Sequence, residues 1–302
     1  SGVVGAQNEE QGSTLNKLDP GKLPRWLKRA SLGLLLAGVA AALWAFWLEP
    51  QRLVVNRSEL RLPSWPAELS GLRVALLADL HVGSPYWDVA ALARLVERTN
   101  AERAELVLLA GDYQINDVIG GSFVESEPIA EQLGKLRAPL GVFAVLGNHD
   151  WWNDGERTRR AFTAQGIQVL EEQAVRVERN GSAFYIVGLA DQMERASNPA
   201  AALAQAAPGV PTLLLVHEPD VFASFPQLGL SPTLTLAGHT HGGQVWLPLL
   251  GRRVVPSRFG ERYAHGHVVE NERHLFVTAG VGTSIFPVRF LVPPEIAILT
   301  LR

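Results

Sequence analysis

The chain of 302 residues contains no cysteine. Disulfides are therefore excluded, as is any zinc site built on thiolates, and a metal would have to be held by oxygen and nitrogen. The absence permits an oxidising compartment without requiring one. Excess charge is missing as well. With 27 Lys and Arg against 30 Asp and Glu, the formal net charge is −3 and the pI near 6.3. That balance gives no electrostatic reason to expect a nucleic-acid partner. Internal repeats and low-complexity tracts are also absent, which removes solenoids from consideration. A chain of this length can bury one large α/β core or two small ones.

Long apolar runs are missing too, with one exception. Ala30 to Leu48 spans 19 residues without a charge, and Ser31 is its only polar side chain. At about 1.5 Å per residue a helix here covers roughly 28 Å, close to a bilayer's hydrocarbon thickness of about 30 Å. Lys22, Arg25, Lys28 and Arg29 crowd its amino side, Glu49 and Pro50 end it, and Trp26, Trp44 and Trp47 lie near its two ends. A cleaved signal has a shorter apolar core and a small-x-small site, whereas Leu43 to Leu48 is bulky. A core helix is rarely apolar on every side. The reading is an uncleaved single-pass anchor over 30–49, preceded by a flexible tail over 1–29. The positive-inside rule assigns the tail to the cytoplasm and the remainder to the far side. Residues 50–71, with Pro63, Pro66, Arg52, Arg57 and Arg61, are expected to form a linker or a first edge strand.

From residue 72 onward, apolar runs of strand length alternate with helical patterns. Leu72–Ala78, Leu106–Ala110 and Val142–Leu146 read as strands buried on both faces. The helices that follow have Asp88, Ser126 and Asp154 as expected N-caps, and Gly166 suits a left-handed helix end. Ala174–Glu178 and Ala183–Leu189 flank Asn180-Gly181, a strong hairpin signal. A short helix near 199–206 precedes strands at Leu213–Val216 and Thr233–Ala237, and Val268–Glu270, His274–Thr278 and Ile296–Leu301 close the chain. Alternation followed by hairpins predicts sheets packed face to face with helices outside.

Chemistry-bearing residues recur where α/β folds bind ligands, at the carboxyl ends of strands. They are Asp79-Leu80-His81, Gly111-Asp112, Gly147-Asn148-His149-Asp150, His217, and Gly238-His239-Thr240-His241-Gly242-Gly243-Gln244. Each alone has a plain structural reading: Asp79 a turn cap, His217 a satisfied core histidine, Asp150 a helix cap. Together they gather five of the eight histidines at strand ends. Neutral imidazole is the commonest protein metal ligand, and the neighbouring glycines allow close backbone approach.

This motif set, in this order, resembles the calcineurin-like metallophosphoesterases over about Leu72 to Arg302. The Gly-His-Thr-His-Gly-Gly-Gln form and the apolar anchor are similar to the bacterial membrane-associated branch, which includes UDP-2,3-diacylglucosamine pyrophosphatase-like phosphoesterases. The resemblance implies a four-layer α/β/β/α sandwich over 72–302, preceded by the transmembrane helix. It also implies two divalent metal ions, with Mn, Fe or Zn suited to mixed carboxylate and imidazole ligands. One ion would take Asp79, His81 and His241, the other Asn148, His217 and His239, with Asp112 bridging. His149 would lie near the leaving group, and Asp150 would orient its ring.

The implied reaction is hydrolysis of a phosphodiester or pyrophosphate, by metal-hydroxide attack between ions about 3.5–4 Å apart. The expected substrate is lipid-linked. The expected setting is the bacterial inner membrane, with a periplasmic catalytic domain and a monomeric chain. Two alternatives stay open: a UDP-2,3-diacylglucosamine pyrophosphatase, whose nucleotide-linked substrate would favour a cytoplasmic domain, and a non-catalytic metal-binding scaffold. The stretch Tyr113 to Asp117 departs from many relatives and receives no ligand; His265, His267 and His274 match no motif. Trp87, Trp151, Trp152 and Trp246 follow the metal motifs, and Arg252 and Arg253 come after an apolar run at Val245–Leu250. They are expected to form a greasy rim facing the bilayer, the rival being simple packing between loops.

Overall fold

The computed structural model describes residues 24–63 and 65–302. Residues 1–23, most of the expected tail, lie outside the described residues. Among the described residues, one helix, Arg25–Gln51, is long and apolar enough to cross a membrane. It is α-helical over Arg25–Leu43 (α1), loosens to a π turn over Trp44–Leu48 and tightens to a 3-10 turn over Glu49–Gln51. Only 6% of its most apolar window is buried, so it is not a core helix of this chain. The chain through Ala42 forms one unit and Leu43–Arg302 a second.

The second unit contains two six-stranded sheets. Its strands, in chain order, are β1 (Val54–Leu60), β2 (Leu72–Leu77), β3 (Leu106–Ala110), β4 (Val142–Val145), β5 (Gln168–Val169) and β6 (Gln173–Arg179). They continue with β7 (Ser182–Gly188), β8 (Thr212–Leu215), β9 (Leu234–Ala237), β10 (Gly266–Glu270), β11 (Arg273–Val277) and β12 (Glu295–Leu301). One sheet has the order β1-β12-β2-β3-β4-β5, the other β10-β11-β9-β8-β7-β6. In the first, β1 pairs parallel with β12, β12 antiparallel with β2, and β2 to β5 are parallel neighbours. In the second, β7, β8, β9 and β11 are parallel and the outer strands β6 and β10 antiparallel.

Side chains on a strand alternate between faces. Val74, Leu76, Leu106 and Leu108 therefore meet Ile186, Leu213, Leu215 and Leu234 of the other sheet in one buried cluster. Their chain neighbours Ala75, Leu77, Val107 and Leu109 turn the other way, onto Leu92 and Leu95 of α2 (Val89–Ala101), Ile129 and Leu133 of α3 (Ser126–Leu133), and Phe162. Leu214 and Ala237 face outward from the second sheet onto Phe222, Phe225 and Tyr263. The result is the expected four-layer sandwich. Truncating an inter-sheet leucine such as Leu108 to alanine should cost about 2–5 kcal/mol, from lost burial and a residual cavity.

Most expected elements appear within a residue or two. Asp88 caps α2 by accepting the Ala91 N–H (2.7 Å), and Asn180 and Gly181 both adopt positive φ in a two-residue hairpin turn. Ser126 is a correction. It is the first residue inside α3 rather than its cap, and its hydroxyl meets that of Thr158 at 2.8 Å.

Candidate metal centre

β2, β3 and β4 are parallel neighbours, as are β8 and β9. Their carboxyl ends open on one edge of each sheet, and the loops beyond carry all nine expected site residues. The loops are pressed together. A Cβ at Gly147 would lie 2.3 Å from Asp112 Oδ1, and one at Gly238 would lie 2.5 Å from Ala78 Cβ. Asp79, His81, Asp112, His239 and His241 all have φ between +40° and +70°. Non-glycine residues enter this region at a cost of order 1–3 kcal/mol each, so the surroundings must hold them there. One such restraint is the Asp79 carboxylate, which accepts the His239 N–H at 2.9 and 3.0 Å.

His217 shows best what the pocket requires. Its Nδ1–H donates to the Ala110 carbonyl at 2.7 Å, so that Nε2 is the nitrogen a neutral ring would offer as a lone pair. That nitrogen faces Asn148 Oδ1 at 3.2 Å, His239 Nδ1 at 3.1 Å and Asp112 Oδ2 at 3.3 Å. On the other side, His81 Nε2 is 3.1 Å from His241 Nε2 and 3.5 Å from Asp112 Oδ2, and His241 Nε2 is 3.8 Å from Asp79 Oδ1. Asp112 Oδ2 thus stands between the two groups. Three sets of donors, Asp79–His81–His241, His81–Asp112–His149 and Asp112–His217–His239, each converge within 4.8 Å.

Lone pairs gathered this closely need positive charge among them. In its absence, burial pushes the Asp79 carboxyl up to about 7 and holds His81 down near 3 and His239 near 4. Burial opposes charge on His217 as well, but the Asp112 carboxylate outweighs it and drives that pKa well above the ordinary value. Two carboxylates, an amide oxygen, three buried imidazoles and the half-buried one of His239 fit divalent cations of intermediate hardness.

His149 lies across the same mouth. Its backbone N–H donates to Asp112 Oδ1 (3.0 Å), and its ring stands edge-on to His81 and tilts against Trp152, both with centroids 4.6 Å away. The Asn116 amide lies 3.0 Å from its Nδ1, and with the amide nitrogen turned toward the ring it donates there and leaves the proton of the neutral ring on Nε2. Burial lowers the His149 pKa.

The sequence model of the calcineurin-like phosphoesterases matches residues 72–243. The chain belongs to that family. It is 30% identical to Phosphodiesterase YaeI of Escherichia coli over 80% of this chain and 86% of that protein. It is 28% identical to the uncharacterized metallophosphoesterase YkuE of Bacillus subtilis over 92% of this chain and 97% of that protein. It is also 27% identical to UDP-2,3-diacylglucosamine pyrophosphatase LpxG of Chlamydia trachomatis over 89% and 96%. This calcineurin-like phosphoesterase is thus a metal-dependent phosphoric ester hydrolase.

Several expected placements need correction in this phosphoesterase. Asp150 does not orient the His149 ring. Its carboxylate accepts from the Asp112, Tyr113 and Gly147 N–H groups at 2.9 Å each, bracing the loops after β3 and β4. The side chain that lies against the ring nitrogen is Asn116, from the stretch given no ligand. Trp87 is buried and donates its indole N–H to the Pro50 carbonyl at 3.0 Å, away from any rim. Trp151 is half-buried beneath the Arg195 guanidinium, 4.3 Å from its ring. Arg252 is tied to the Gly242 carbonyl at 2.7 Å. Trp152 and Arg253 are exposed, and Trp246 is half-buried.

Arg289 is a residue that sequence reasoning missed. It is fully buried, donates to the carbonyls of Ala279, Gly282 and Val292, and has its pKa lowered to about 10 by burial. Gly280 and Gly282 in that segment press on Asp79 and His81, where a Cβ would come within 2.6 Å. An arginine in a loop reads as a surface residue, so no local signal marks it.

Proposed function

We propose that this phosphoesterase is a membrane-anchored dinuclear-metal enzyme that hydrolyses a phosphodiester or pyrophosphate bond of a lipid-linked substrate. Asp79, His81 and His241 would hold one ion, Asn148, His217 and His239 the other, and Asp112 both. A pair of divalent ions in such a site supplies Lewis acidity and an activated water. The observation that carries the reading is the convergence of an amide oxygen, a carboxylate and a second imidazole on His217 Nε2, whose partner nitrogen Nδ1 is committed to the Ala110 carbonyl.

The remaining residues act on orientation and protons. Asn116 fixes the His149 tautomer, so that Nε2–H would stabilise charge on the leaving oxygen. Asp150 keeps the two loops in register. Trp152, Trp246 and Arg253 are the remaining rim residues for an acyl-bearing phosphate. The uncharged run Ala30–Leu48 within the helix supports membrane anchoring, and the lysines and arginines on its amino side support a domain outside the cytoplasm of a bacterial inner membrane.

Hydrolysis of bis-p-nitrophenyl phosphate with added Mn tests the chemistry. Turnover should fall about 10²-fold or more in His149→Ala. No turnover with any divalent metal would instead favour a non-catalytic scaffold. Turnover on a micellar lipid pyrophosphate should exceed that on a soluble diester, and equal rates would remove the lipid-linked substrate. The similarity to LpxG favours a second reading, UDP-2,3-diacylglucosamine pyrophosphatase. A reporter fused after Arg302 that scores cytoplasmic would turn the assignment toward it.

A further inference from the structure

The end of the apolar helix is built into the catalytic unit rather than joined to it by a free linker. Ala45 O accepts the Arg289 N–H at 2.9 Å, Phe46 O accepts the Tyr86 hydroxyl at 2.9 Å, and Pro50 O accepts the Trp87 indole at 3.0 Å. The Glu49 carboxylate, fully buried, accepts from the Leu291 N–H at 2.7 Å and the Trp44 indole at 2.6 Å.

Around these bonds the surface is greasy. Phe46, Trp47, Tyr86, Ile285, Phe286 and Leu291 are between 40% and 62% exposed. Two of them are held there under strain, with φ of +64° at Ile285 and +57° at Leu291. A β-branched residue is a marked outlier in that region. Scattered apolar residues need no explanation, but a group joined to the end of a helix's long uncharged run does. Aromatics at that level are the composition of a membrane–water interface.

We infer that this face, formed by the helix end and the 285–291 loop, rests on the lipid surface of the membrane that the helix enters. The inference rests on the anchor reading above. The occupant is lipid because the face continues the helix itself: Glu49 ends the uncharged run at the level where Leu291 and Tyr86 attach. The same loop reaches the metal centre. Gln244, three residues after His241, exchanges bonds with Ser284 (2.8 and 3.1 Å), and its carbonyl accepts the Phe290 N–H at 2.9 Å. The catalytic mouth is thereby held against the bilayer, where a phosphate ester with buried acyl chains can be met without leaving the membrane.

The absence of native cysteine gives a clean test. Single cysteines are placed in the full chain by Phe286→Cys, Ile285→Cys, Leu36→Cys and Val269→Cys. Each is labelled with an environment-sensitive fluorophore and reconstituted into phosphatidylethanolamine–phosphatidylglycerol vesicles. Emission is then quenched from the lipid side with doxyl-labelled lipid and from the water side with iodide. Labels at 285, 286 and within the helix at 36 should be blue-shifted and lose emission to the doxyl lipid. The label on β10 at 269 should lose emission only to iodide. If 36 is quenched by lipid while 285 and 286 behave like 269, the lipid-resting face is overturned and the anchor stands. If 36 is also quenched only by iodide, the anchor reading falls and this inference falls with it.

Discussion

The two sheets supply the metal centre with different chemistry. Loops after β2, β3 and β4 bring two carboxylates and an amide oxygen, from Asp79, Asp112 and Asn148, together with His81 and His149. Loops after β8 and β9 bring only imidazoles: His217, His239 and His241. Negative charge therefore comes from one side and most of the neutral nitrogen from the other, so a cation shared between them would also join the sheets at this edge. Elsewhere along the same seam they are joined without metal. Glu295, which opens β12 in the first sheet, accepts from Thr278 Oγ1 and the Ala279 N–H just after β11 in the second, each at 2.8 Å. The contrast separates a joint that chelation can open from one that only acid can.

Asp112 is the one carboxylate placed between both donor groups, and its loss should break the comparison hardest. Asp112→Ala is expected to lower turnover of bis-p-nitrophenyl phosphate by about 10³-fold, as loss of a central charge-stabilising group does. It should also reduce bound metal, measured on the same sample. His149→Ala should cost about 10²-fold in turnover but leave metal content unchanged, which separates proton handling from metal holding.

Chelation should act on stability. A ligand at a hundred times its dissociation constant stabilises the fold by about 2.7 kcal/mol. Removing it should lower the calorimetric Tm by several degrees in wild type and much less in Asp112→Ala.

Glu295 sharpens the other half of the contrast. Burial alone would raise its pKa, but bonds from His265, the Ala279 N–H and Asn56 outweigh it and bring the value to about 2, from 4.5. A carboxyl lowered on folding adds stability above the unfolded pKa and loses it as pH falls through the folded one. Its contribution, about 3 kcal/mol at most, should therefore be present above pH ~4.5 and gone near pH 2. Acid titration of unfolding should show this limb flattened in Glu295→Gln, with or without metal. Asn116→Ala should have the smallest effect, about tenfold in turnover with metal content unchanged, as for loss of an orienting partner.

The sheet that carries the carboxylates was the more legible of the two in sequence. β2, β3 and β4 are near-continuous apolar runs, interrupted only by Arg73 and stopped abruptly by Asp or Gly, and Asp88 and Asp154 mark the helices after β2 and β4 by ordinary capping. Less was readable where a role depends on which loops meet. Asn116 reaches His149 only because the loops after β3 and β4 lie side by side. Asp150 sits where either ring or backbone could have claimed it, and three backbone N–H groups did. Trp87 and Arg289 are buried by the helix end and the 279–292 segment, which are distant from each other in the chain. β5 is too short and too polar, as Gln168–Val169, to carry an alternation signal.

The central claim is that the strand-end donors hold a pair of divalent ions. The most direct measurement is metal content per chain, by plasma mass spectrometry, of the full chain purified in detergent with Mn, Fe and Zn supplied in turn. The account predicts about two equivalents in wild type and a clear loss in His217→Ala, with the thermal transition still cooperative. A folded wild-type sample that retains no metal under any of these conditions would contradict it.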